Sequence, residues 1–297
     1  MAGKIAVIGD VILDVYHFCK NRENPESSAP CYTIERTEYK PGGAGNVAAN
    51  LAKLGSDCTL FSVVGEDEEA NKLDRLLKAS GVNPSIVRDK KRSTIIKERY
   101  LSSTDGRYHF RADFEKKEYI NEDNVDEILR RIKDFSLVVV SDYNKGTISR
   151  ALMDGLKKKG IRIVADTKPC HKDFFKGIFM IKPNVREVRE MAGLQDELAA
   201  AQKVAQELET NVLLTRGREG ISYFGLNGER YDFKPTVPSE KIFDVTGAGD
   251  TVMAAFCHFL NKGFPIKECV NLANKAAGIS VQYPGCYQVS EEELGIK

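Results

Sequence analysis

Short apolar segments rich in β-branched residues recur along the chain, and most are separated by segments with helical spacing of apolar residues. The strand-like segments are residues 5–8, 59–64, 137–140, 161–165, 178–181 and 212–215. The helix-like segments follow the glycines at 42–45, precede Gly81, and cover 122–134, 148–159 and 196–209. This alternation predicts an α/β fold in which a mostly parallel central sheet is flanked by helices on both faces.

Two segments interrupt the alternation. Residues 11–40 carry few helix signals, and residues 93–115 have the pattern of a hairpin with its turn at Ser102–Gly106. Because neither segment can bury much surface alone, we expect them to pair into a small β lid over the carboxyl-terminal edge of the sheet, where α/β folds bind ligands. The prediction is one domain over residues 1–297, with these lid segments inserted.

Composition narrows the class of protein. The chain has 297 residues, 42% of them hydrophobic, and a formal net charge of +1, which gives no general reason to bind nucleic acid or a membrane surface. The first residues have the pattern of a strand rather than a secretory signal, and no apolar run approaches the ~18 residues of a membrane span. Seven scattered cysteines, none spaced as CxxC, argue against a disulfide framework or a zinc site. These features predict a cytoplasmic enzyme.

The segment Asp244–Asp250 reads DVTGAGD and is followed by a small, apolar helical stretch. Gly247, Ala248 and Gly249 then fall at a helix N-terminus, where free N–H groups and the helix dipole favour an anion. Asp250 in the first turn would lie beside bound phosphate and could accept the proton of an attacking hydroxyl. The alternative is a simple helix cap preceded by a glycine turn.

A second glycine cluster, PGGAGN at 41–46, also leads into a helix. It matches the dinucleotide fingerprint G-x-G-x-x-A, but it does not directly follow the first strand as that fingerprint requires. Close approach of the backbone to a polyol fits better, with Asn46 as a hydrogen-bonding group. Asp10 and Asp14 could accept hydrogen bonds from the same hydroxyls, although Asp10 taken alone is more commonly an ordinary turn residue after Gly9.

A third motif, KPNVRE at 182–187, follows a predicted strand and opens a helix. Asn184 and Glu187 are three residues apart and could act together on a hydrated Mg²⁺, which prefers oxygen ligands. The same spacing also describes a capping box. Lys145, Lys168 and Arg216 each follow a strand and are candidate phosphate contacts, although no P-loop motif is present.

These motifs, in this order, resemble the ribokinase-like (PfkB) carbohydrate kinases. The resemblance spans the chain and includes GDVILD at 9–14, PGGAGNVAANLAKLG at 41–55, NxxE at 184–187 and DVTGAGDTV at 244–252. Within the family the chain is most similar to the D-glycero-β-D-manno-heptose 7-phosphate kinases, on GDVILD, PGGAGNVA, SDYNKG, LLTRGREG and a lid pattern T-x-x-K-x-R at 94–99.

The resemblance implies a ribokinase-like fold, ATP as co-substrate, Mg²⁺ and K⁺ as cofactors, and a homodimer formed through the lid. It implies that Asp250 is the catalytic base and that Gly247, Ala248 and Gly249 form the anion hole. The implied nucleotide-site residues are Asn184, Arg186, Glu187, Thr215, Arg216, Gly217, Gly220 and Asn274. Of these, Glu187 would contact the metal, and Asn184 would contact it through water. The implied sugar-site residues are Asp14, Gly42, Gly43, Asn46, Lys97, Arg99, Arg111, Asp142 and Lys145.

The implied reaction phosphorylates the anomeric hydroxyl of heptose 7-phosphate. Lys97, Arg99 and Arg111 form a cationic set suited to the phosphate that this substrate already carries, although solubilising charges on an exposed lid would look the same. The alternatives are a kinase for fructose, ribose or adenosine, and a non-catalytic sugar or nucleotide sensor.

Three features depart from the family pattern. The lid strand reads APCYTI where a more apolar strand is usual, and DTKP at 166–169 replaces the usual DPK, which weakens the assignment of Lys168. The sequence also ends soon after the kinase core, whereas many relatives continue into a nucleotidyltransferase domain. We therefore expect a separate adenylyltransferase.

Overall fold

The structure is a computed structural model that describes residues 3–296. Within that range the chain forms strands β1 (Lys4–Gly9), β2 (Val11–Arg22), β3 (Cys31–Gly43), β4 (Cys58–Gly65), β5 (Asn83–Asp89), β6 (Ile95–Ser102), β7 (Tyr108–Phe114), β8 (Phe135–Ser141), β9 (Arg162–Asp166), β10 (Met180–Ile181), β11 (Asn211–Thr215), β12 (Ile221–Phe224) and β13 (Arg230–Phe233). The helices are α1 (Ala44–Lys53), α2 (Glu68–Ala79), α3 (Glu122–Arg131), α4 (Arg150–Lys158), α5 (Val185–Ala192), α6 (Glu197–Glu207), α7 (Ala248–Asn261) and α8 (Ile266–Ser280).

The larger sheet has the strand order β13-β12-β11-β10-β9-β8-β1-β4-β5. All pairings from β11 to β5 are parallel, and only β12 and β13 are added antiparallel at one edge. The predicted α/β fold with a mostly parallel sheet is therefore confirmed. The strands that the sequence pattern missed, β5, β12 and β13, are edge or near-edge strands with mixed polarity.

Helices cover both faces of this sheet, as predicted. Alternate residues of the central strand β1 enter two separate cores: Ile5 and Val7 pack with α1, α2, α7 and α8, whereas Ala6 and Ile8 pack with α3 to α6. A strand covered on both sides must be apolar at successive positions, which is why residues 5–8 form an unbroken apolar run.

The two interrupting segments form one four-stranded sheet of order β3-β2-β6-β7, which is the predicted lid. The β6–β7 hairpin and the β2–β3 pair are antiparallel, and β2 and β6 are joined in parallel. Gly42 and Gly43, at the end of β3, lead directly into α1, so this strand connects the lid to the helices of the main body.

The carboxyl ends of β1, β8, β9, β10 and β11 lie side by side at one edge of the large sheet. Asp10, Asp142, Asp166, Lys182 and Thr215 stand at or just beyond those ends. This is the edge at which open α/β sheets bind ligands. In residues 3–296, none of the helices has the length and apolar character needed to cross a membrane.

Candidate active site

Helix α7 places Asp250 at the centre of this edge. Gly247 is its N-cap residue, in the left-handed region at φ 75°, and Asp250 lies in the first turn. A Cβ atom at Gly247 would lie 2.7 Å from the Asn46 side-chain nitrogen, so close packing as well as the backbone angle requires glycine here. The first turn therefore exposes N–H groups beside a carboxylate, as the motif predicted.

The Asp250 carboxylate accepts one hydrogen bond on each oxygen. Asn46 Nδ2 donates to Oδ2 at 2.7 Å, and the Tyr143 hydroxyl donates to Oδ1 at 2.9 Å. Asp250 is 6% exposed, and this burial raises the pKa of its carboxyl to about 6, helped by the negative charge of Asp166 and opposed by the two hydrogen bonds and Lys182. A carboxyl with this pKa is largely ionised at neutral pH and is a better proton acceptor than an ordinary aspartate.

Two lysine–carboxylate pairs stand beside the helix N-terminus. Lys182 Nζ lies 2.8 Å from Asp166 Oδ2, and Lys168 Nζ lies 2.6 Å from Glu187 Oε1. Lys182 is 3% exposed, and its ammonium group is the nearest neighbour of a Cβ built at Gly249. Burial opposes the charge of Lys168, but Asp166 and Glu187 outweigh it and raise the pKa of that ammonium group. Two cations are thus held at the place where the N–H groups favour an anion.

Asn184 and Glu187 form the capping box of α5. Asn184 Oδ1 accepts from the Glu187 N–H at 2.9 Å, and Glu187 Oε2 accepts from the Asn184 N–H at 3.0 Å. Both carboxylate oxygens of Glu187 are therefore engaged, one by the cap and one by Lys168. The capping interpretation is confirmed, and the two side chains also line the cavity described next.

A cavity of about 580 Å³ extends from Asp250 over the edge of the sheet. It is lined at one end by Gly247, Ala248, Gly249 and the two lysine–carboxylate pairs. Its other end is more apolar and is walled by Thr215, Gly217, Arg218, Gly220, Pro235, Thr236, Val237, Asn274, Ala277, Gly278 and Val281. Thr215, Gly217, Gly220 and Asn274, which the resemblance assigned to the nucleotide, are thus brought together along one wall.

The predicted sugar residues gather on the lid side of Asp250. Asp14 is 4% exposed and pairs with Arg99, whose Nη1 lies 2.5 Å from its Oδ1. A Cβ at Gly42 would lie 2.2 Å from Asp14 Oδ2, so this glycine makes room for the carboxylate. Asn46, through its bond to Asp250, connects this group to the helix N-terminus.

Three cationic side chains, Lys97 and Arg111 on the lid and Lys145 in the loop after β8, lie further from Asp250 than the Asp14–Arg99 pair. Arg111 pairs with Asp113 at 2.8 Å, and Lys145 pairs with Glu115 at 2.5 Å. Lys97 forms no ion pair within residues 3–296; burial lowers the pKa of its ammonium group, as do Arg111 and Lys145, while Asp113 and Glu115 oppose that shift. Arg99, expected to belong to this set, is instead engaged by Asp14.

Besides the sugar-site residues on the lid side, three predicted site residues do not line the cavity. The Asp142 carboxylate is 2% exposed and accepts from the Asn144 N–H, Thr167 Oγ1 and the His171 ring, so it holds the loops rather than a ligand. Arg216 Nη2 points to Glu197 at 3.3 Å, and Arg218 is the arginine that lines the cavity. Arg186 is exposed on α5 and does not line it.

Asp10 also has a structural role here. Its carboxylate accepts from the backbone N–H groups of Tyr143, Lys145 and Thr147 and so fixes the loop after β8. Burial raises the pKa of the Asp10 carboxyl, while the hydrogen bonds from the Lys145 and Thr147 N–H groups lower it. Asp10 therefore anchors a distant loop, which differs from the local turn role considered from the sequence.

Sequence reasoning missed Tyr143, Asp166 and Lys182. Asp166 and Lys182 end or follow predicted strands, so the rule that ligand groups collect at carboxyl ends would have selected them. Tyr143 also follows a strand end, but nothing local marks its hydroxyl as a partner of Asp250, because that contact spans 107 residues and exists only in the folded chain.

Comparison with known proteins defines the class. The family model described as "pfkB family carbohydrate kinase" matches residues 2–293. The chain therefore belongs to the pfkB family of carbohydrate kinases and is an ATP-dependent sugar kinase.

Curated relatives include the "Bifunctional protein HldE" of Ectopseudomonas mendocina, 36% identical over 98% of this chain, and that of Pseudomonas aeruginosa, 37% identical over 98%. The chain spans only 62% of the length of each. Among solved structures, Arabidopsis thaliana ribokinase in complex with ribose and ATP superposes with a TM-score of 0.78 at 21% identity, covering 99% of this chain and 98% of that one. Escherichia coli phosphofructokinase-2 gives 0.82 at 19% identity, covering 99% and 97%. The fold is thus ribokinase-like, as predicted.

Proposed function

We propose that this chain transfers the γ-phosphoryl group of ATP to the anomeric hydroxyl of heptose 7-phosphate, giving heptose 1,7-bisphosphate. The observation that carries the proposal is the buried Asp250 carboxylate at the N-terminus of α7, between the cavity and the lid-side polar group. The motifs shared with heptose 7-phosphate kinases and the HldE relatives support the choice of sugar.

The reaction has a simple balance of bonds. The hydroxyl oxygen bonds to the γ-phosphorus as the bond from that phosphorus to the β–γ bridging oxygen breaks, and ADP leaves. The hydroxyl proton passes to Asp250. The N–H groups at Gly247–Gly249 and the ammonium groups of Lys168 and Lys182 stabilise the charge that develops on the phosphoryl oxygens.

The family implies a divalent cation with ATP, and the oxygen donors at this end of the cavity fit one. Asp166, Asn184 and Glu187 line the wall there. Because both oxygens of Glu187 already accept hydrogen bonds, these residues would hold Mg²⁺ through water and the ATP phosphates, its usual mode in kinases. When bound, Mg²⁺ neutralises charge on the phosphates.

The substrate phosphate has a candidate site among Lys97, Arg111 and Lys145. Their acidic partners, Asp113 and Glu115, are exposed enough to release them toward a phosphate, which forms stronger charge-assisted bonds than a solvated carboxylate pair. Lys97 is half-buried within this group, and a dianion bound beside it would raise the pKa of its ammonium group.

The lid also carries the proposed homodimer contact. The strand register places Ile34, Phe110 and Phe114 on one face of the lid sheet, and each is 47% exposed or more. Such a patch of large apolar side chains is typical of a surface that another chain covers. Sedimentation velocity of the protein, with Phe110→Ser as the comparison, distinguishes a dimer through the lid from a monomer.

A substrate panel tests the proposed reaction. ADP release is measured with heptose 7-phosphate, unphosphorylated heptose, fructose, fructose 6-phosphate, ribose and adenosine, each with Mg²⁺ and ATP. We expect kcat/KM to be highest for heptose 7-phosphate. A higher value for any other compound assigns the kinase to that substrate, and ATP binding without transfer to any of them would favour a sensor.

A further inference from the structure

The Asp250 carboxylate is held by two donors that come from distant parts of the chain. Asn46 lies on α1 and Tyr143 in the loop after β8, and each contacts a different oxygen. A carboxylate offers about four acceptor positions, so one on each oxygen remains free. The two donors thus restrict the direction from which a substrate hydroxyl can approach.

The Asn46 amide has one defined orientation. Asn50 Nδ2 donates to Asn46 Oδ1 at 3.1 Å and to the Asn46 backbone carbonyl at 2.9 Å. Thr251 Oγ1 in turn donates to Asn50 Oδ1 at 3.4 Å. Because the amide oxygen of Asn46 is occupied by a donor, its nitrogen is the end that faces Asp250.

The Tyr143 hydroxyl is held equally firmly. Three N–H bonds to Asp10, from Tyr143 itself and from Lys145 and Thr147 after it, fix this loop. The aromatic side chain also has few rotatable bonds. Burial, then the negative charges of Asp250 and Asp166, raise the pKa of this phenol well above its ordinary value. The hydroxyl therefore stays protonated and serves as a donor to the carboxylate.

We infer that Tyr143 is a positioning residue for the catalytic base: its hydroxyl fixes the rotation of the Asp250 carboxylate and stabilises the ionised form that receives the substrate proton. This inference rests on the proposed role of Asp250 but not on the identity of the sugar. Tyr143 need not touch the substrate, since it acts through Asp250.

Other charged or titratable groups also face Asp250. Asp166, at the end of β9, disfavours its ionised form, and Lys182, after β10, favours it. Cys286 approaches from the segment after α8, and burial raises the pKa of its thiol to about 12, so it is neutral near pH 7. Removing the Tyr143 hydroxyl leaves these groups in place. The pKa of Asp250 should then rise, because one bond to the ionised form is lost.

The test is Tyr143→Phe in the full chain, which keeps the ring and deletes only the hydroxyl. The pH at which Asp250 becomes protonated is read from the infrared band of its carboxyl group, assigned by difference against Asp250→Asn. We expect the midpoint to move upward by about half to one pH unit. We also expect kcat, measured well above this midpoint, to fall about tenfold through loss of orientation.

Tyr119→Phe is the matched control, because Tyr119 is 58% exposed. It should leave both values unchanged. An unchanged infrared midpoint in Tyr143→Phe would overturn the inference whatever sugar the enzyme uses. If the midpoint moves but heptose 7-phosphate is not a substrate, the proposed sugar is wrong and the role of Tyr143 stands. A lower kcat with an unmoved midpoint would reduce Tyr143 to a packing residue.

Discussion

The floor of the cleft around Asp250 and the lid that covers its far side are built in different ways. Around Asp250, polar side chains are buried or half-buried and bond to partners far away in the chain, as in Asn46–Asp250 and Tyr143–Asp250. On the lid, charges pair with close neighbours and stay accessible, as in Arg111–Asp113. A floor of this kind holds one geometry, whereas the lid charges can exchange partners when a ligand arrives.

One ion pair within the lid sheet is buried in the same way as the groups of the floor. Arg99 on β6 contacts Asp14 on β2, and both side chains are at most 10% exposed. Burial raises the pKa of Asp14, while Arg99 opposes this. From this difference we expect the floor to carry out the phosphoryl transfer and the lid to select the substrate.

The sharpest way to test the floor is Asp250→Asn. The amide cannot accept the proton, so we expect kcat to fall on the order of a thousandfold. ATP affinity should change little, because the cavity walls remain. Steady-state kinetics and calorimetric titration with ATP measure the two quantities. Near-normal turnover would show that Asp250 is not the base.

Gly247→Ala tests whether the floor depends on close fit. The new methyl group would lie 2.7 Å from Asn46 Nδ2 and occupy a left-handed backbone position. We expect kcat to fall about tenfold to a hundredfold, because Asn46 is displaced from Asp250. Kinetics and thermal denaturation of the variant measure the loss of activity and of stability separately.

Gly263→Ala is the control that separates backbone strain from the displacement of Asn46. Gly263 follows the same helix at φ 84°, and a Cβ there meets nothing within 4 Å. Gly263→Ala should lower the free energy of unfolding by about 1 to 3 kcal/mol, as backbone strain does in Gly247→Ala, and should leave kcat unchanged. Equal losses of kcat in both variants would mean that close fit at Gly247 is unimportant.

Arg111→Ala tests the lid. Loss of one charge-assisted contact should raise KM for the phosphorylated sugar about tenfold and leave KM for the unphosphorylated sugar nearly unchanged. Arg107→Ala is the control, since Arg107 is exposed at the hairpin turn and pairs with Asp105 there. If Arg111→Ala affects both sugars equally, the lid does not read the substrate phosphate.

The smallest expected effect is the acidic limb of the pH profile. The raised pKa of Asp250 means that only half of the free enzyme carries the ionised base at about pH 6. Thus kcat/KM should be halved there, reach about a tenth of its plateau one pH unit lower, and then approach a tenfold fall for each further unit. Initial rates between pH 5 and pH 8 (roughly the range in which such a carboxyl titrates) measure it. A limb near pH 4 would contradict the burial of the base.

The floor was more predictable from sequence than the lid. The unbroken apolar run Ile5–Ile8 predicts a buried parallel strand from local pattern alone. The glycines before α7 likewise predict a helix N-terminus. For the lid, the pattern predicted a hairpin at 93–115 that pairs with 11–40, but not the strand order β3-β2-β6-β7, because one face of that sheet is exposed and its apolar pattern is weak.

Contacts between distant residues were not predictable. The expected roles of Asp142 and Arg216 at the site did not account for His171 and Glu197, which engage them in the folded chain. Tyr143 shows the reverse case, since nothing local marks its contact with Asp250. Spacing alone shows which loops meet at the sheet edge but not which side chains face inward.

The most direct test of the proposed reaction is the position of the transferred phosphate. Heptose 7-phosphate is incubated with the protein, Mg²⁺ and ATP, and the product is examined by ³¹P NMR with proton coupling. The proposal predicts a second phosphorus signal coupled to the anomeric proton, together with an equal amount of ADP. A phosphate on any other carbon, or no transfer to heptose 7-phosphate while another sugar phosphate is consumed, would contradict it.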